Sequence, residues 1–107
     1  MTQDKLQAIA TALADLCPRV YHYLAADKTK PNYIVWAEDG ANDLAAGNIH
    51  AEGAWQGTVD LFTQIEFDQL IDDIPAKLEE IGASWSLNSV QAEADTGLIH
   101  YEWLFEL

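Results

Sequence analysis

Leu6, Ile9, Ala10, Leu13 and Leu16 recur at helical spacing near the start of the chain. They predict one apolar face of an amphipathic helix running from Thr2 or Gln3 to Leu16, and Pro18 cannot continue it. Arg19 to Ala26, "RVYHYLAA", is rich in aromatic and β-branched residues and reads as a strand. A turn at "DKTKPN" follows, and then a second strand from Tyr33 to Glu38, apolar enough to be buried on both faces. From Asp39 to Gly53 the periodicity disappears, and three glycines and two asparagines predict a long loop. "AWQGTVDLFT" then alternates, with Trp55, Gly57, Val59 and Leu61 on one face and Gln56, Thr58, Asp60 and Phe62 on the other.

Thr63-Gln64-Ile65-Glu66 has the form of a capping box, which would start a helix just after Thr63. Phe67, Leu70, Ile71, Ile74, Leu78 and Ile81 continue at helical spacing, and Gly82 is the expected stop. Pro75 predicts either a kink or a helix whose regular part begins later. Two further strands are expected, Ser84 to Glu93 and Leu98 to Leu107. The order α-β-β-β-α-β-β predicts one α+β domain over residues 1–107, with two helices packed on an antiparallel sheet of four to five strands.

Between the last two strands lies Asp95-Thr96-Gly97, the tripeptide that carries the catalytic aspartate of pepsin-like and retroviral proteases. As a three-residue loop with Gly97 left-handed, it would set Trp85 opposite Leu107, Leu87 opposite Phe105 and Ser89 opposite Trp103. That register leaves one face mainly apolar, whereas a two-residue loop would set Trp85 against Glu106. Polar residues precede the tripeptide and only ten follow it, so the protease framework is missing and a turn is the better reading.

Other chemistry is sparse. The one cysteine, Cys17, excludes an internal disulfide and reads as a buried, inert thiol. His50-Ala51-Glu52 lacks the cysteine partners of a zinc deaminase, and His22, His50 and His100 are too far apart in sequence to suggest a metal site. Asp39, Asp43 and Glu52 lack calcium-loop spacing. No phosphate loop or nucleophile elbow is present, so neither an enzyme nor a cofactor is expected. No run is long and apolar enough to span a membrane, and the N-terminal residues do not read as a signal peptide, which predicts a soluble protein in a reducing compartment.

Charge changes the picture more. The net charge is −13, and it is uneven: residues 1–30 hold four basic and three acidic side chains, residues 31–107 one basic and fifteen acidic. Such a surface repels phosphate backbones and excludes nucleic-acid tracking. It serves solubility, or docking to a basic partner, or a wall to which DNA does not adhere.

"PNYIVWAEDG", "GTVDLFTQIEFD", "SWSLNSVQ" and "DTGLIHYEWLFEL" together resemble small prophage proteins of Gram-positive tailed bacteriophages, the minor tail or tail-completion proteins. The resemblance spans about Val20 to Leu107. It implies a structural subunit of the head–tail neck, similar to tail terminators, which form rings, often hexameric, that cap the tail tube and meet the head connector. Location would be the host bacterial cytoplasm during assembly and then the virion tail, with no cofactor. The loop from Asp39 to Gly53, with Asp39, Asp43, Asn48, His50 and Glu52, is then the candidate assembly contact. An acidic phage-encoded inhibitor or adaptor of a basic host protein is the alternative.

Overall fold

A computed structural model describes residues 2–42 and 53–107. The elements are α1 (Gln3–Ala14), β1 (Val20–His22), β2 (Tyr33–Asn42), β3 (Ala54–Thr63), α2 (Leu70–Glu80), β4 (Ser84–Ala92) and β5 (Ile99–Glu106). The strands form one five-stranded sheet in the order β1-β2-β3-β5-β4. The α+β architecture and element order are those expected. The sheet is mixed, because β1 runs parallel to β2 while the other pairs are antiparallel.

The core lies between the helices and one sheet face. Ile9 and Leu13 of α1 and Ile74 and Leu78 of α2 are fully buried against Ile34, Trp36, Val59, Leu61, Trp103 and Phe105. Pairing explains why these residues share a face: Trp36 sits opposite Val59, Val59 opposite Trp103, and Trp103 opposite Leu87. At the far end of the sheet the Trp55 indole donates to the Thr2 carbonyl (2.8 Å), tying the start of α1 to β3. Gly57 sits where Phe105 crosses β3; a Cβ there would lie 2.7 Å from the ring and would also strike the Ala37 carbonyl.

Four local expectations are corrected. The first strand stops at His22 rather than Ala26, because Tyr23 turns into the left-handed region (φ 73°). The strand pair β2–β3 continues through Asn42 and Ala54, so residues 39–42 belong to a strand. A bulge between Glu38 and Gly40 shifts the register there, which is why the periodicity vanishes. The second helix begins at Leu70, not after Thr63. The Thr63 hydroxyl is engaged elsewhere, 2.7 Å from Asp68 Oδ2 and 2.9 Å from Asn32 Oδ1, and Asp68 Oδ1 instead accepts from the Leu70 N–H (2.9 Å). Pro75 lies inside α2 and is buried. The end of α2 is as expected: Gly82 (φ 89°) follows it, with Ala83 N–H donating to Leu78 and Gly82 N–H to Glu79.

The fourth correction concerns the closing hairpin. Asp95-Thr96-Gly97 does form the turn, and Gly97 is left-handed (φ 71°). Its loop, however, has four residues, Ala94 to Gly97, closed by Glu93 N–H to the Leu98 carbonyl (2.8 Å). Val90 therefore faces Tyr101 and Ala92 faces Ile99. A bulge at Asn88 then resets the phase, so that Leu87 faces Trp103 and Trp85 faces Phe105. The reason lies in the side chains. Trp85 and Leu87 are odd-numbered and Val90 and Ala92 even-numbered, and only an inserted residue brings all four to the helix side.

Gly57→Ala should destabilise the fold by about 2 kcal/mol or more, because the methyl meets backbone on one side and a packed ring on the other. Denaturant unfolding of the two proteins measures the difference.

Candidate functional site

Both helices pack on the same side, so among the described residues no helix covers the opposite face of the sheet. The register places Tyr33, Val35 and Ala37 of β2 there, with Thr58, Asp60 and Phe62 of β3, His100, Glu102 and Leu104 of β5, and Ser86, Ser89 and Gln91 of β4. Alternation alone makes this the polar face, yet it holds two organised features.

The first is an aromatic stack. Phe62 lies against Tyr33 on one side (ring centroids 4.8 Å) and against His100 on the other (4.2 Å). Tyr33 is thereby almost wholly buried without a helix above it. Beside it, Leu24, Ala25, Val35 and Leu98 complete a groove of about 430 Å³, with Lys28 and Glu93 among its lining residues. A second depression, about 390 Å³, lies among Asp39, Gln56, Ser86 and Glu106.

The second feature is ionic. His100 Nε2 lies 2.7 Å from Asp60 Oδ1, and Glu102 stands directly opposite Asp60 on the neighbouring strand. Among the described residues, Asp60, His100 and Glu102 are the group of metal-ligating side chains whose ligand atoms come within 4.8 Å of one another. Their hydrogen bonds are already taken up locally, His100 with Asp60 and Asn88 Nδ2 with Glu102 Oε1 (2.6 Å). Partial burial raises the Asp60 pKa; the His100 contact opposes this and the Glu102 carboxylate adds to it, leaving a net rise. Sequence spacing sets His100 and Glu102 on one strand face but gave no hint of Asp60, which only strand pairing brings to them.

On the helix side, at the β1 edge, His22 stacks between Tyr23 and Trp36 (3.7 and 3.9 Å). Glu38 accepts from Tyr23 Oη (3.0 Å) and contacts His22 Nε2 (2.7 Å). Burial works to raise the Glu38 pKa, but these two contacts outweigh it and lower it overall. "YHY" and "YIVWAE" thus divide their aromatics between the core, through Trp36, this ladder, through His22 and Tyr23, and the open face, through Tyr21 and Tyr33.

Of the candidate contact residues, Asp39 lies at the β2 bulge and is exposed. Asp43, Asn48, His50 and Glu52 lie outside the described residues. Cys17 is buried, its Sγ 3.4 Å from the Asn32 carbonyl. Asp95 lies exposed in the β4–β5 loop. No helix among the described residues is long and apolar enough to cross a membrane.

A carboxyl whose folded pKa is raised favours folding while protonated, below its ordinary range, and that advantage is lost as pH rises through the raised value. Asp60 is therefore held in its less favoured form at neutral pH. Glu102→Gln removes the opposing charge while keeping an acceptor for Asn88, and should stabilise the protein at pH 7 by up to about 1 kcal/mol. Thermal melts of both proteins should converge in acid, where Asp60 is protonated and no longer repels its neighbour.

No family model matches the chain, and no curated protein matches it in sequence. Among solved structures, its fold is similar to that of a chain in the virion of a native gene transfer agent particle. The TM-score is 0.51 at 12% identity, over 96% of this chain and 87% of that one.

Proposed function

We propose that the chain is a non-catalytic structural subunit of a phage-type virion, placed at the head–tail neck, where copies close into a ring at the end of the tail tube. The observation that carries this reading is the extent of the fold similarity. A chain of a virion particle shares the architecture over nearly the whole of both molecules, not over one common motif. The segments that resemble tail-completion proteins support the same placement. A ring needs two different surfaces that meet head to tail and close by rotation. The uncovered sheet face, with its apolar groove and its ionic row, is one surface a neighbouring subunit can bury. The acidic balance suits a passage for DNA, because a negative lumen wall offers phosphates nothing to bind.

The same charge favours a second reading, an acidic binding protein or inhibitor that docks on a basic host partner. The two readings differ in what the chain joins. Purified chain mixed with phage tail tubes and imaged by negative stain should decorate tube ends with a ring on the neck reading. Undecorated tubes, together with a tight one-to-one complex with a basic host protein, would favour the inhibitor.

A further inference from the structure

β4 forms one border of the sheet; among the described residues its strand partner is β5, on one side only. The opposite border, β1, is three residues long and ends where Tyr23 turns away. β4 is nine residues long, "SWSLNSVQA", with neither a charge nor a proline. Exposed edge strands are usually guarded by lysine, proline or inward charge, since their free N–H and C=O groups template pairing with another chain. In a chain with eighteen acidic residues, a charge-free edge is a local departure from composition.

The bulge at Asn88 adds a specific property. It places Trp85, Leu87, Val90 and Ala92 on the helix side and Ser84, Ser86, Asn88, Ser89 and Gln91 on the open side. Ser84 apart, which meets Glu93, each set maps onto itself when the strand is reversed about a point between Asn88 and Ser89. A second β4 laid antiparallel about that point sets Trp85 against Ala92, Leu87 against Val90, Ser86 against Gln91 and Asn88 against Ser89. Every apolar residue meets an apolar one and every polar residue a polar one. No pair of like charges is opposed, although each copy carries −13 overall.

We propose that β4 is a self-complementary docking strand through which two copies of this chain pair antiparallel about a twofold axis between Asn88 and Ser89, merging their sheets. The apolar side chains have surface left to bury there: Leu87 is 51% exposed, Val90 49% and Trp85 38%. Asn88 and Ser89 occupy the axis, where the bulge interrupts the regular ladder and their polar side chains can bridge the copies. The contact is isologous, so it joins two copies and stops. It is separate from the head-to-tail contact of a ring and does not depend on that reading. Glu79, which accepts from the Trp85 indole (3.0 Å), lies near the seam in each copy. With the net charge, it makes pairing stronger as salt rises.

Light scattering across a concentration series tests this. The mass should climb from 11.9 kDa to twice that value, at lower concentration in high salt than in low. Val90→Lys places a charge in the seam and should hold the chain as a monomer. Leu104→Lys makes the same charge change on the open face of β5 and should leave the dimer intact. Asn88→Cys should form a disulfide-linked dimer under mild oxidation, because its counterpart lies one residue across the axis and Cys17 is buried. Monomers at all concentrations, or equal effects of the two lysines, would overturn the proposal. If Val90→Lys does not fold, the Asn88→Cys crosslink decides: a covalent dimer supports the pairing and its absence rejects it.

Discussion

Two helices cover one face of a five-stranded sheet, and this one-sided burial is the constraint from which the other features follow. Ile9, Leu13, Ile74 and Leu78 can seal only the face that carries Trp36, Val59, Trp103 and Phe105. β5, inserted between β3 and β4, brings the last residues of the chain into the middle of that core. The opposite face has to be stabilised from within the sheet. It uses ring stacking through Tyr33, Phe62 and His100, and a hydrogen bond between His100 and Asp60. Both are cross-strand devices, which supply modest energy but fix which residue stands beside which.

One-sided folds of this kind leave surface for partners. Here the available surfaces differ in character. The open face is mixed, with an apolar groove beside a carboxylate pair. The β4 edge is uncharged and patterned symmetrically, while α2 presents Asp72, Asp73, Glu79 and Glu80. A chain with strong net negative charge resists non-specific association, and the β4 edge is a place where charge has been left out. On the proposed reading, that division serves a subunit that joins particular neighbours and lets phosphate-rich cargo pass without binding.

Much of the fold was legible wherever periodicity was local. The apolar face of α1, the stop at Gly82 and the alternation of β3 all follow from spacing along the chain. Two of the misreadings share one cause, a long-range partner that changed a local rule. Thr63 looked like a cap, but Asn32 and Asp68 claim its hydroxyl. Residues 39–42 looked like loop, but β3 pairs with them across a bulge. The phase change from Trp85 and Leu87 to Val90 and Ala92 was a readable sign of the second bulge, and it determines the hairpin register. His100 and Glu102 share a face by alternation, but Asp60 had no local sign, because pairing of β3 with β5 brings it to them.

Whether the chain is part of a particle is the claim on which the functional account rests. Quantitative mass spectrometry of purified particles from producing cells measures this directly. The account predicts the chain in a small, fixed number of copies per particle, retained through gradient purification. Abundant chain in the lysate with none in the purified particles would contradict it.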